Sequence, residues 1–419
     1  MRRVYDANNR YGKSHLVLKL LTLVLDRLKR SFPVVLVTGA RQVGKTTLLR
    51  QNSDAQSYYT FDDYVLLDSV KQDAIGFAAN VSTPVILDEI QYAPLLFRAI
   101  KLRVDRDARS GEFLLTGSQQ FEMMRGVSES LAGRIGILTL SGLSSREIGG
   151  SKFTLPFLTT TEYLSERQPS VSPLSSPELW RRIQRGSMPK LYADPEIDTQ
   201  DYYSAYVKTY IERDVRTLTQ VGDELTFMQF LTACAARTGA LLNLSDISRD
   251  VNVSVPTAKR WLSILAVSGL VYLLRPFSQN ITSRTVKTPK LYFMDTGLAA
   301  YLCKWYAPET LEVGAMSGAF FGTYIISEVV KSYQNFGQEP PLYFYRDADR
   351  HEVDLIIHKD GKIYPVEIKK TASPNAKDFK QFETLRNISG LEVAQGSVVC
   401  MYDSPLRLSG GNIIPVSYI

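Results

Sequence analysis

Gly39-Ala40-Arg41-Gln42-Val43-Gly44-Lys45-Thr46 puts two glycines, a lysine and a hydroxyl residue into one short run. That combination suits the cradling of phosphate. Gly39 and Gly44 let the backbone turn so that its N–H groups face an anion. The apolar run Val34–Thr38 before it reads as a strand, and Thr47–Gln51 after it reads as a helix. A helix N-terminus adds its own attraction for anionic oxygens. The run fits the Walker A pattern at every fixed position. Residues Gly39, Ala40, Arg41, Gln42, Val43, Gly44, Lys45, Thr46 and Thr47 are therefore the expected ATP-binding set. Lys45 would meet the β- and γ-phosphates, and the Thr46 hydroxyl would ligate Mg2+.

A second run, Val85-Ile86-Leu87-Asp88-Glu89, is an apolar strand ending in two carboxylates. This is the Walker B arrangement. Asp88 would hold the hydrated Mg2+, and Glu89 would polarise the attacking water. The strand ending Leu114-Leu115-Thr116-Gly117-Ser118-Gln119 would lie between the two Walker strands and offer a polar side chain to the γ-phosphate or the water. Ser118 is the first choice and Thr116 the second; a plain strand-end turn is the alternative. Arg134 precedes a further strand and reads either as an arginine finger reaching a neighbouring subunit's nucleotide or as a surface arginine.

Toward the C-terminus, Glu352-Val353-Asp354-Leu355-Ile356-Ile357 is a strand with an acid amid apolar residues, and Glu367-Ile368-Lys369 follows in the strand Tyr364–Lys369. Alternation places Glu367 and Lys369 on one face. A turn at Lys359-Asp360-Gly361 lets the strands pair. Asp354 and Glu367 could then share a divalent metal through oxygen ligands, with Lys369 orienting water or stabilising developing charge. Glu328, on the preceding helix, is a further candidate ligand. His351 reads as a surface histidine. The pattern resembles the PD-(D/E)xK nuclease superfamily, with Val353 where that pattern has proline. Either an active metal site or a degenerate fold retained for DNA contact or packing would explain it.

Charge is unevenly spread. The chain has 49 Lys+Arg against 43 Asp+Glu, yet Leu241–Lys290 alone carries Arg249, Lys259, Arg260, Arg275, Arg284, Lys287 and Lys290 against Asp246 and Asp250. A concentrated basic segment is the footprint expected of a nucleic-acid contact, unless it is simply a solvated face. Within it Leu244–Ile247 starts a short helix with Ser245 as its expected N-cap. Ser254 caps a second helix with Pro256 in its first turn, running from Thr257 to about Val267. Trp261, Leu262 and Leu265 would face inward and Lys259 and Arg260 outward. Gly269 ends the helix, and Leu270–Leu274 follows as a strand. The order resembles a winged helix-turn-helix, with Lys259 and Arg260 meeting DNA and Arg284 and Lys287 near the wing. A helical packing module that joins domains or mediates oligomerisation is the alternative.

The elements that must position these residues alternate short apolar strands with helical stretches over the first 150 residues. Val34–Thr38, Tyr58–Phe61, Val85–Leu87, Phe113–Thr116 and Ile135–Leu140 are the expected strands, and Tyr64–Ala79 an expected helix. Such alternation predicts crossover units and a parallel sheet. Gln168–Pro177 is rich in turn formers and reads as a surface loop. Tyr202, Tyr206 and Tyr210 form a stripe that reads as core. From Leu291 onward strands return around a helix Phe320–Tyr333. The fold class is α/β: an N-terminal P-loop domain with a parallel sheet (1–175), a helical and winged-helix region (176–290) and an α/β nuclease-like domain (291–419).

With 419 residues, 44% hydrophobic and 22% charged, the chain is neither disordered nor a disulfide-stapled scaffold. Cys234, Cys303 and Cys400 lack metal-ligand spacing and are expected as reduced, buried thiols. The apolar stretch Leu16–Leu28 is broken by Lys19, Asp26 and Arg27, so it is read as an amphipathic helix. No membrane partner and a cytoplasmic location are the expectations.

Together, Gly39–Thr46, Asp88-Glu89-Ile90-Gln91, Thr116-Gly117-Ser118-Gln119, Leu131-Ala132-Gly133-Arg134, Tyr210–Val215 and Phe293–Leu298 resemble the AAA+ ATPases of bacteria and archaea that carry a C-terminal domain of unknown function. The resemblance implies an ATPase core of the additional-strand, catalytic-glutamate type, using ATP and Mg2+. It also implies a homo-oligomer, since AAA+ cores usually work as rings, often hexameric. No sensor-2 arginine is assigned; Arg213 and Arg216 are available. The expected function is an Mg-dependent ATPase acting on duplex or branched DNA. A nucleotide-dependent signalling switch with an inert nuclease-fold platform is one rival. An ATP-gated, metal-dependent endonuclease is the other.

Overall fold

The computed structural model describes residues 19–107, 109–117, 130–210, 224–278, 288–347, 349–385 and 391–419. Helix α1 (Lys19–Ser31) leads into β1 (Val34–Thr38), the phosphate loop and α2 (Lys45–Gln51). Then follow β2 (Ser57–Thr60), α3 (Tyr64–Gln72), α4 (Ala74–Asn80), β3 (Val85–Asp88), α5 (Leu95–Asp107), β4 (Phe113–Gly117) and β5 (Ile135–Thr139). The five strands form one sheet in the order β2-β3-β4-β1-β5, and every pairing is parallel. Strands β1, β3 and β4 are buried along their whole length. This is why they read as unbroken apolar runs instead of alternating ones. Successive residues still point to opposite faces: Val34 and Leu36 join one core, Val35 and Val37 the other.

The single helix expected over Tyr64–Ala79 is two. Asp73 breaks it because its side chain accepts the Gly76 N–H at 2.7 Å and so starts a new helix. The loop expected at Gln168–Pro177 follows a helix, Thr161–Arg167, opens with a 3-10 turn, Gln168–Ser170, and ends where the helix Ser176–Arg185 begins.

Further along, α6 (Thr199–Tyr210) carries the tyrosine stripe; Tyr202 and Tyr206 are buried and their rings stack. Then α7 (Glu224–Ala235), α8 (Leu244–Asp250) and α9 (Val255–Val267) pack around Trp261, whose ring meets Phe227 and Phe230 edge-on. The cap of α8 is Asn243, not Ser245: the Asn243 side chain accepts from Asp246 N at 3.2 Å, two residues before the expected cap. Ser254 caps α9 as expected, accepting from Thr257 N. Gly269, at φ 73°, reverses the chain after α9 into β6 (Val271–Pro276), which pairs antiparallel with β7 (Lys290–Phe293).

The remaining chain adds α10 (Ser317–Gln334) and β8 (Leu342–Arg346), β9 (Glu352–Lys359), β10 (Lys362–Lys369), β11 (Glu392–Val393), β12 (Ser397–Cys400), β13 (Leu406–Leu408) and β14 (Gly411–Pro415). Strand β6 also pairs parallel with β8, so a second sheet runs β13-β14-β12-β10-β9-β8-β6-β7 with β11 on β10. The turn expected at Lys359-Asp360-Gly361 is a two-residue hairpin, Asp360-Gly361, both at positive φ, with Lys359 already paired to Lys362. Cys234 and Cys400 are buried free thiols and Cys303 is half-buried. No helix among the described residues is long and apolar enough to cross a membrane.

Candidate nucleotide site and a second acidic site

The phosphate loop joins the end of β1 to α2. Gly39 sits at φ 143°, and a Cβ there would lie 2.0 Å from the Leu140 carbonyl oxygen, so only glycine lets the loop pass β5. Gly44 caps α2 at φ 97°. Gln42 also adopts positive φ, and its side-chain oxygen accepts the Tyr202 hydroxyl at 2.7 Å. That bond fastens the loop to α6. Lys45 is buried, its ammonium donating to the carbonyls of Gly39 at 3.2 Å and Ala40 at 2.8 Å. Ala40, Arg41, Val43 and Thr47 complete the run, with Val43 buried and Thr47 exposed.

Parallel order brings the second Walker strand within reach. The Thr46 hydroxyl donates to Asp88 Oδ1 at 2.8 Å. Thr116, at the end of the intervening strand β4, donates to the same oxygen, and its hydroxyl accepts Glu89 N at 3.3 Å. Thr116, the second choice on sequence, thus links both Walker B acids; Ser118, the first choice, lies outside the described residues. Glu89 has a left-handed backbone, φ 55°, and Gln91 donates to its carboxylate.

Two supports were not read from the sequence. Gln91 is one, flagged only as part of a motif. Tyr58 is the other: its hydroxyl donates to Asp88 Oδ2 at 2.8 Å, and the Arg50 guanidinium lies 4.5 Å from its ring centre. Burial, then the Asp88 carboxylate, push the Tyr58 hydroxyl well above the usual tyrosine range, so it stays a donor. The alternation Ser57-Tyr58-Tyr59 carried no signal for this.

Arg134 pairs with Asp105 of α5 and donates to the Ala132 carbonyl at 3.1 Å. It precedes β5, at the end of the sheet opposite the phosphate loop of its own chain.

The second acidic site lies on the β9–β10 hairpin. Asp354 Oδ2 accepts Ile368 N at 3.0 Å, and Lys369 pairs with Glu367 Oε1 at 2.6 Å. Glu367 is 5% exposed, and its other oxygen has no hydrogen bond, with Gln381 nearby. Burial first, then the Asp354 charge, push the Glu367 carboxyl up to about 7, against the pull of Lys369. Glu328 is not brought to them. It is buried on α10, one oxygen accepting Ser145 N at 2.6 Å and the other Lys331 at 3.0 Å, so its charge is spent joining α10 to the P-loop domain. A further cation beside the acids is Lys290 of β7, and Arg346 also pairs with Glu352 at 3.2 Å. Lys290 is 5% exposed, 2.6 Å from Glu352 and 3.6 Å from Asp354.

The basic segment is accordingly less basic at its surface than its count. Lys290 is buried, and Arg249 is paired with Asp246 at 2.8 Å. Lys259 and Arg260 are exposed on α9; Arg284 and Lys287 lie outside the described residues. His351 is exposed and bonded to Asp347 at 2.9 Å.

Residues 31–149 match the AAA domain family. Residues 176–309 match a domain of unknown function (DUF8612), and 317–419 match another (DUF4143). The uncharacterized protein Rv2008c of Mycobacterium tuberculosis is 30% identical over 353 residues, 83% of this chain and 74% of the relative. The uncharacterized protein Mb2031c of Mycobacterium bovis gives the same figures. Among solved structures, the Walker-type ATPase PABY2304 of Pyrococcus abyssi is 15% identical with a TM-score of 0.43, covering 67% of this chain and 94% of that one. The Thermotoga maritima RuvB Holliday junction branch migration motor is 18% identical with a TM-score of 0.29, covering 63% and 90%. The assignment rests on the sequence matches and on the strand order: the chain belongs to the family of these mycobacterial proteins, with a P-loop AAA ATPase domain followed by a C-terminal DUF4143 domain.

Proposed function

We propose that the chain is an Mg2+-dependent ATPase that acts on DNA. The observation that carries the reading is the Thr46–Asp88 hydrogen bond at 2.8 Å, which puts a hydroxyl and a carboxylate side by side. Both are hard oxygen donors, the set that suits Mg2+. Thr46 and Asp88 would hold the ion, which supplies charge neutralisation at the phosphates. Lys45 and the loop amides bind the triphosphate. Glu89, held by Gln91 and by its strained backbone, accepts a proton from the attacking water. Thr116 fixes Asp88 and Glu89 relative to each other. Arg134, remote from its own phosphate loop, acts on the nucleotide of a neighbouring subunit in a homo-oligomeric ring. The α8–α9 pair and the β6–β7 hairpin serve as a winged helix, with Lys259 and Arg260 on DNA phosphates.

The test is the ATP hydrolysis rate of the purified chain, alone and with single-stranded, duplex and four-way-junction DNA at one stated salt concentration. Stimulation by one form supports a DNA-coupled ATPase. Hydrolysis that no DNA changes rejects the coupling and leaves the signalling switch.

One observation favours an inert C-terminal platform over a nuclease. Lys290 supplies a buried positive charge to Glu352 and Asp354, where a nuclease would place a divalent ion. Divalent-dependent DNA cleavage lost in both Asp354→Ala and Lys369→Ala would overturn the platform reading.

A further inference from the structure

The Phe293–Leu298 run is among those that carry the family resemblance, and Asp295 lies at its centre. Asp295 is 5% exposed, and its carboxylate accepts from three segments of the chain. Its Oδ2 takes Ser187 N at 2.7 Å and the Ser187 hydroxyl at 2.8 Å. Its Oδ1 takes Leu298 N at 2.7 Å and the Tyr203 hydroxyl at 2.7 Å, with the Arg185 carbonyl 3.0 Å from that hydroxyl. The Leu298 bond caps the helix Thr296–Leu302. A cap needs no more than that, so the bonds to Ser187 and Tyr203 call for another explanation. The space around them is shaped to match. A Cβ on Gly186 would lie 2.2 Å from the Tyr203 oxygen and one on Gly297 2.5 Å, so a side chain at either position would expel the hydroxyl. Burial first, then the Asp295 charge, push the Tyr203 hydroxyl well above the usual tyrosine range, so it stays a donor.

Two routes lead from Asp295 to the phosphate loop. On α6 the neighbour of Tyr203 is Tyr202; their rings meet edge-on at 5.2 Å, and the Tyr202 hydroxyl donates to Gln42. Gln42 is left-handed at φ 61°, a conformation that a non-glycine residue keeps only where its surroundings fix it. On the other route the Ser187 carbonyl accepts Leu143 N at 2.7 Å. Three residues before Leu143, Leu140 N donates to the Thr38 carbonyl at 2.7 Å, and the Leu140 carbonyl faces Gly39. One buried carboxylate is thus joined to the start of the loop and to its middle. We propose that Asp295 is a positioning residue for nucleotide binding, setting the phosphate loop through Tyr203–Tyr202–Gln42 and through Ser187–Leu143. The proposal rests on the reading of Gly39–Thr46 as the triphosphate site. Asp295 stands two residues past the end of β7, so the loop is set from the second sheet. By linkage, phosphate binding tightens this anchor as much as the anchor tightens phosphate.

The experiment titrates two probes, Mg2+ with ATP and Mg2+ with inorganic tripolyphosphate, into the full chain by calorimetry. Tyr203→Phe keeps the ring and removes only the hydroxyl. It should weaken both probes by roughly three- to tenfold, the scale of one hydrogen bond, and raise KM for ATP alike with kcat within about twofold. Tyr202→Phe should weaken both probes to a similar degree. The double variant should lose no more than the weaker-binding single one, because both hydroxyls act through Gln42. A folded Tyr203→Phe with wild-type affinity for both probes overturns the proposal while leaving the phosphate loop standing, and so does a double variant whose losses multiply. A bond that served stability alone would lower the thermal midpoint and leave affinity below it unmoved. Wild type that binds neither probe instead removes the underlying triphosphate reading. Hydrogen exchange on wild type needs no variant. Mg2+ with tripolyphosphate should slow exchange of the Ser187 and Leu298 amides, which donate to Asp295, and unchanged exchange at both rejects the proposal.

Discussion

Thr46 and Asp88 are 42 positions apart, yet the hydroxyl of one donates to the carboxylate of the other at 2.8 Å. The bond joins the first turn of α2 to the last residue of β3, across the intervening strand β4. Thr116, on β4, closes the triangle by donating to the same oxygen. Two strand ends and a helix start are thereby held in one arrangement before any ligand is considered.

The roles of Lys45 and Glu89 separate in binding and turnover. Lys45→Ala should lose binding of a fluorescent ATP analogue. Glu89→Gln should bind it normally but release phosphate about 100-fold more slowly or worse, the usual scale of a lost general base. Wild-type turnover in Glu89→Gln would remove the role given to that glutamate.

Gly39→Ala is expected to be severe although it adds one methyl group. The new Cβ would fall 2.0 Å from the Leu140 oxygen, at a backbone angle that L-residues rarely adopt. Strain of this kind costs on the order of 1–3 kcal/mol. A drop in the thermal midpoint together with weaker ATP binding is the expected pair of readings.

Much of the nucleotide site was legible in the sequence because its parts are contiguous. Gly39–Thr46 and Val85–Glu89 each carry their own chemistry and their own strand context. What was not legible depends on sheet order. Tyr58 looks like any strand tyrosine until β2 is laid beside β3, and the link that Thr116 makes to Asp88 and Glu89 depends on β4 lying between the Walker strands. Lys290 was counted with the basic segment, yet β7 buries it against Glu352 and Asp354. Glu328 had the right residue type on the right helix, but its carboxylate is committed to Ser145 and Lys331.

Lys290→Met should be destabilising. Glu352 and Asp354 are only partly buried and Glu352 keeps Arg346 at 3.2 Å, so the loss should be on the order of 1–3 kcal/mol, the scale of a charged hydrogen bond. Chemical denaturation checks this. Mn2+ should recover part of the loss if the acids then accept a metal; full stability without metal would show that Lys290 is not their counter-ion.

Glu367 gives a pH signature. Its folded-state pKa is raised from 4.5 to about 7, with Asp354, Lys369 and Gln381 facing it and Lys290 behind Asp354. The folded chain therefore holds a proton that the unfolded chain releases. The stability this contributes is fully present below the unfolded pKa and is lost as pH rises through about 7. Glu367→Gln should flatten that part of the stability–pH profile; an unchanged profile would assign it to another group.

On α9, Lys259→Glu and Arg260→Glu should each weaken DNA binding across all sequences. Each should also reduce the slope of log affinity against log salt by about 1, with basal ATP hydrolysis unchanged. Fluorescence anisotropy over a salt series measures both.

Strand β6 is hydrogen-bonded on both edges, to β7 on one side and to β8 on the other. Mechanically, the hairpin beside α9 and the sheet bearing Asp354 and Glu367 are one plate. A hinge between them would have to tear a strand ladder. A push delivered at the end of α9 is therefore passed to the far sheet as stiffness rather than absorbed at a hinge between them.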